Sequence, residues 1–122
     1  MNFTDLRSAN RARQQEWPGN TQADTAFRAI EVAGEAGEVA EAVKKLLRER
    51  RGIKGSTASV ESIADEIADT IIALDLLADD LGIDIGPALA RKFNATSAKY
   101  GLRTRIDPEG AGTCDHDNTS AF

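Results

Sequence analysis

Between Ser59 and Leu81 the chain carries apolar residues on two sides of one helical segment, and this limits what it can fold into. Val60, Ile63, Ile67, Ile71, Leu74, Ala78 and Leu81 recur at the three- and four-residue steps of a helical stripe, while Ile72 and Leu76 form a second patch. A helix that is apolar on two sides has to be covered on both. Residues 21–48 supply one partner, because Val32, Ala36, Val39, Val43 and Leu46 follow a 4-3-4-3 spacing along a second stripe. Aromatic residues make up only 5% of the chain, and its middle is dominated by alanine, leucine, isoleucine and glutamate, which favours helices over a β-sandwich.

Four helices are expected. The first spans about 4–16, is mostly polar, and stops at Trp17-Pro18-Gly19-Asn20. The second spans 21–48 and is followed by a linker, Arg51-Gly52-Ile53-Lys54-Gly55-Ser56-Thr57. The third covers 59–81 and is broken by Gly82; the fourth is capped by Asp84, tolerates Pro87 in its first turn, and ends near Tyr100. The spacing of Ile85, Leu89 and Phe93 assigns these three to a packed face of the fourth helix. At 122 residues this is one all-α domain, residues 1–105, with a flexible polar tail over 106–122.

The net charge of −5 argues against binding a nucleic-acid polymer, which needs a basic footprint. It does not exclude a nucleotide, since bound divalent cations reverse the local sign. The single cysteine, Cys114, permits no intrachain disulfide, and neither a membrane-spanning apolar run nor a signal-peptide core is present, so a cytoplasmic protein without membrane attachment is expected. Cys114-Asp115-His116-Asp117 is read as solvated, one thiol and one imidazole being too few for a tetrahedral zinc site.

Glu31, Glu35 and Glu38 fall within a narrow band of the second helix, and Glu66 and Asp69 lie one turn apart on the third. Two carboxylates ~5 Å apart in a medium of effective dielectric ~20 repel by roughly 3 kcal/mol. Keeping four of them together implies a cation, and oxygen donors of this kind suit magnesium, which retains waters that a substrate phosphate can replace. Glu41, Glu49, Glu61, Asp65, Asp75, Asp79 and Asp80 are expected to be ordinary solvated acids.

The order of these residues adds to that reading. Glu35-Ala36-Gly37-Glu38-Val39-Ala40-Glu41-Ala42 resembles the first motif of the MazG-like family of all-α nucleotide pyrophosphohydrolases. Asp65-Glu66-Ile67-Ala68-Asp69-Thr70-Ile71-Ile72 resembles its second, an ExxD in an apolar helix. Lys92-Phe93-Asn94, with Ser97, Lys99 and Tyr100-Gly101, is similar to its closing segment. The resemblance implies a helical bundle assembled as a homodimer or homotetramer, and hydrolysis of a nucleoside triphosphate to the monophosphate and pyrophosphate. It further implies Mg2+, with Mn2+ as a substitute, on Glu35, Glu38, Glu66 and Asp69. Glu35 or Glu38 would also orient the attacking water, while Lys92 and Asn94 contact the substrate. Trp17 is a candidate for stacking on the base, or else a cap over the bundle's end. Arg103 and Arg105 could reach a phosphate from a neighbouring subunit.

Two other readings compete. Hydrolysis of phosphoribosyl-ATP would use the same acidic motifs. A non-catalytic oligomerisation module would use the two-sided third helix only as a seam. A carboxylate-bridged di-iron bundle is disfavoured, because it normally uses Glu-x-x-His pairs and the only histidine is His116.

Overall fold

A computed structural model of the chain describes residues 1–107. Four α-helices are present: α1 (Phe3–Glu16), α2 (Thr25–Arg50), α3 (Val60–Asp80) and α4 (Ile85–Lys99), with a short 3-10 turn at Asn20–Gln22 before α2. No strand occurs among the described residues. The expected tail 106–122, with Cys114 and His116, lies almost wholly outside them.

Local chemistry sets each helix start. Asn2 accepts the Asp5 backbone N–H at 2.8 Å, and the Asp5 carboxylate accepts the Asn2 N–H at 3.1 Å, a reciprocal cap on α1. Asp24 accepts the Phe27 N–H at 2.9 Å, so α2 begins at Thr25 rather than at 21. Ser59 and Ser62 exchange the same pair of bonds at the start of α3. Asp84 precedes α4 as expected, but its side chain makes no capping bond. Gly52 and Gly82, both at φ 69°, take the left-handed turn that ends α2 and α3.

The chain divides into two compact units, Met1–Gly82 and the segment from Ile83 onward. In the first, α2 and α3 pack along one another with α1 against α3. The pairing is antiparallel. Glu31 and Glu35 share a cleft with Asp69, Ile72 and Leu76, whereas Ala42 and Lys45 share one with Thr57 and Ser62. The buried apolar residues of this unit are all alanines, Ala42, Ala73 and Ala78. Small side chains let the helix backbones approach closely, and the larger apolar groups are left at the margins.

A polar network docks α1. Asp75 on α3 is 1% exposed; it accepts from Arg7 Nε at 3.0 Å and from Asn10 Nδ2 at 2.9 Å, and Asn10 also donates to the Ile72 carbonyl at 3.3 Å. Arg11 grips Asp79 through two bonds of 2.7 and 2.8 Å. Asp75 and Asp79 are therefore not solvated acids. Their pairing also turns α3 away from the orientation its periodicity suggests. Val60, Ile67, Ile71, Leu74 and Leu81 of the long stripe are exposed in the single chain, and Ile72 and Leu76 are half-buried.

In the second unit the inward face of α4 is Ala90, Asn94 and Ser97 rather than Leu89 and Phe93, which stay exposed. The following segment folds onto that small-residue face. Leu102 N–H donates to the Ser97 carbonyl at 2.8 Å, and the Asn94 side chain exchanges bonds of 2.8 and 3.0 Å with the backbone of Ile106.

Removing one member of a buried ion pair strands the other. Asp75→Ala is expected to destabilise the protein by about 3 kcal/mol, against less than about 0.5 kcal/mol for Glu49→Ala on the exposed side of α2. Urea unfolding followed by helical circular dichroism measures both.

Candidate functional site

The 4-3 repeat that makes α2 an amphipathic helix puts Glu31, Glu35 and Glu38 on the flank beside its packed face. On α3 the ExxD spacing does the same for Glu66 and Asp69. Because the helices run antiparallel, the two sets meet across the seam. Glu38 neighbours both Glu35 and Glu66, and the charges of Glu38, Asp69 and Glu66 all bear on Glu35.

Desolvation is the first cause, and these neighbouring charges the second, of a Glu35 carboxyl that holds its proton above the ordinary value of 4.5. Glu66 is shifted the same way, by desolvation and then by Glu38. One oxygen of Glu35, Oε2, is buried without a hydrogen-bond partner. Glu41, three residues from Glu38, behaves oppositely: a 3.1 Å ion pair with Lys44 lowers its pKa.

Two openings flank this acidic belt. The first, about 510 Å³, is lined by Glu31, Glu35 and Asp69 together with Trp17, Asn20 and Phe27. Trp17, 59% exposed, is part of this cleft's lining. The second, about 450 Å³, holds Glu38 and Glu66 with Lys45, Thr57 and Ser62. The structure thus brings together five of the residues singled out from sequence: Glu35, Glu38, Glu66, Asp69 and Trp17. Lys92 is exposed on α4, in the second unit, and Asn94 there engages the Ile106 backbone with both ends of its amide. Ile72 and Leu76, both half-buried, line the first cleft.

The donor set fits a hard divalent cation: oxygen-only, crowded enough to raise two carboxyl groups, and with an unpartnered carboxylate oxygen inside. It is not a closed cage. Among the described residues no group of three or more His, Cys, Asp or Glu side chains is arranged to hold an ion as it stands. The belt is an electrostatic cluster whose side chains would have to turn toward a shared centre.

Comparison with known proteins bears on these same residues. The model of the MazG-like family matches residues 35–111, well over half of the chain. The chain belongs to the MazG-like family. The match starts at Glu35 and takes in Glu38, Glu66 and Asp69 as well as Lys92 and Asn94. MazG-like proteins are in general pyrophosphohydrolases. No curated protein and no solved structure matches the chain.

Sequence reasoning overlooked Arg28, a buried arginine behind the first cleft. It bonds Gln14 and Asn20, neither of which carries a recognisable motif. Its only local signal was the three-residue step to Glu31.

The raised carboxyls give a pH dependence with a definite sign. A group that binds its proton more tightly when folded adds stability that is fully present below its unfolded pKa and lost as pH rises through the higher folded value. In chelator, Glu35→Gln is therefore expected to be more thermostable than the parent at pH 8, with the advantage shrinking toward pH 4.5. Differential scanning calorimetry across that range checks it, and subtraction removes opposing groups such as Asp79, whose pKa Arg11 lowers.

Proposed function

We propose that this MazG-like chain is a magnesium-dependent nucleoside triphosphate pyrophosphohydrolase, cleaving (d)NTP to (d)NMP and pyrophosphate. The observation that supports it most is the belt of four carboxylates across the α2–α3 seam, crowded enough to raise Glu35 and Glu66 and opening on a cleft that carries Trp17. An acid cluster built only for structure would be paired, as Asp75 is by Arg7 and Asn10.

Glu35, Glu38, Glu66 and Asp69 would hold the magnesium, or manganese in its place. Bound there, the metal supplies Lewis-acid polarisation of the phosphoanhydride and neutralises charge on the departing pyrophosphate. The chain's own residues do the rest. Glu38 is a neighbour of both Glu35 and Glu66, and Glu35 or Glu38 orients the attacking water and accepts its proton. Trp17 offers an indole face for the base at the open end of the cleft. Lys92 contributes positive charge toward phosphate. Asn94 is proposed beside it as a substrate contact; without substrate its amide bonds the Ile106 backbone.

Self-association belongs to the same proposal. Val60, Ile67, Ile71 and Leu74 are exposed along α3, and a second copy packing on this stripe would cover them. No helix among the described residues is long and apolar enough to cross a membrane.

Pyrophosphate release from a panel of dNTPs and NTPs, with phosphoribosyl-ATP alongside, tests the activity directly. Hydrolysis is expected only with Mg2+ or Mn2+, and Glu38→Gln is expected to lower kcat by at least about a hundredfold. Absence of turnover across the panel, with no magnesium-dependent rise in Tm, would refute the reading. For assembly, Ile71→Asp is expected to shift the protein to monomer in sedimentation velocity at micromolar concentration.

A further inference from the structure

Arg28 is 6% exposed, and its guanidinium joins three parts of the first cleft's wall. One terminal nitrogen, Nη2, donates to Gln14 Oε1 at 2.8 Å and to Asn20 Oδ1 at 2.9 Å. The other, Nη1, faces Glu31 Oε1 at 3.4 Å. Gln14 lies in the last turns of α1 and Asn20 opens the 3-10 turn, so they flank the three-residue loop that begins with Trp17, the C-cap of α1. The loop's backbone is held by Asn20 N–H to the Trp17 carbonyl at 3.2 Å and Gln22 N–H to the Gly19 carbonyl at 3.0 Å, with Gly19 at φ 81°. Gln14, Trp17, Asn20 and Glu31 all line the cleft that also holds Glu35 and Asp69.

A buried guanidinium is costly unless its donors are met, and the Nε of Arg28 is met by nothing. Holding a charge there at that cost is disproportionate for a surface loop of three residues. It is in proportion if the loop's position matters to what enters the cleft. We propose that Arg28 is a positioning residue: it clamps both feet of the Trp17 loop and aims Glu31, fixing the recognition end of the cleft relative to the carboxylate belt. Arg28 touches no reacting atom in this scheme. It acts through Trp17, Asn20 and Glu31, and so sets how well a substrate is held rather than how fast it is cut. The assignment rests on the proposed hydrolase reading for its kinetic consequence but not for its structural one.

The structural arm uses the chain's only tryptophan, Trp17. Time-resolved fluorescence anisotropy excited at 295 nm reports how freely that indole moves against the body of the protein. Arg28→Met is expected to increase the amplitude of the fast depolarisation while helical circular dichroism stays unchanged, and Arg28→Lys, which keeps a donor, is expected to restore part of the order. Should Arg28→Met fail to fold, Gln14→Ala and Asn20→Ala each free one foot and are expected to loosen the indole separately. The kinetic arm measures nucleotide hydrolysis, where Arg28→Met is expected to raise KM roughly tenfold with kcat changed less than about twofold. Indole order unchanged in every folded variant would overturn the clamp, whatever the activity. A loosened indole with kcat reduced and KM unchanged would overturn the positioning role. A parent chain with no hydrolase activity would refute the reading of function and leave the anisotropy to decide the clamp alone.

Discussion

A carboxylate almost wholly removed from water has to be answered by donors, and for Asp75 both side-chain donors come from α1. That requirement decides where α1 lies. A mostly polar helix has too little apolar surface to find its place by hydrophobic burial, and the pairing of Arg7 and Asn10 with Asp75, reinforced by Arg11 on Asp79, gives it one position and one rotation. The end of α1 then fixes where the chain must turn, and the turn at Trp17–Asn20 becomes the wall of the first cleft. That wall of the candidate site thus descends from a buried charge on the neighbouring helix.

Two acid groups on α3 meet opposite fates within two turns. Asp75 is neutralised from within the chain, whereas the carboxylates of the belt around Glu66 and Asp69 find other carboxylates as neighbours. The distinction separates structure from function here better than acidity does. Glu41 makes the same point on α2. It lies one turn from Glu38, yet Lys44 satisfies it, and its pKa moves in the other direction.

Much of this was legible in the sequence. Period and caps gave four helices with ends within a few residues of those observed. The exception is the start of α2, where Asn20, Thr21 and Asp24 are all plausible caps and only Asp24 reaches the third amide. The ExxE and ExxD spacings gave the belt, because positions one turn apart on a helix are neighbours whatever the tertiary structure. What the sequence withheld was rotation. Both sides of α3 read as apolar, and the choice between them rests on Asp75, an acid that by its type alone reads as solvated. Arg28 was hidden for the same reason: a charge in a helical pattern is assigned to water unless its partners are known, and Gln14 and Asn20 lie in different elements. On α4, Leu89 and Phe93 have the spacing of a packed face, but the next segment of chain bonds to Asn94 and Ser97.

The way α1 is attached also governs how it can come away. Helices bound by large apolar surfaces expose that surface on opening, which invites aggregation and makes partial unfolding hazardous. Separation of α1 would uncover Asp75 and Asp79 on one side and Arg7, Asn10 and Arg11 on the other, groups that water hydrates readily. Local opening of this helix is therefore a self-contained excursion that leaves both surfaces wettable and able to rejoin, so amide exchange along α1 can run ahead of global unfolding without committing the molecule to it.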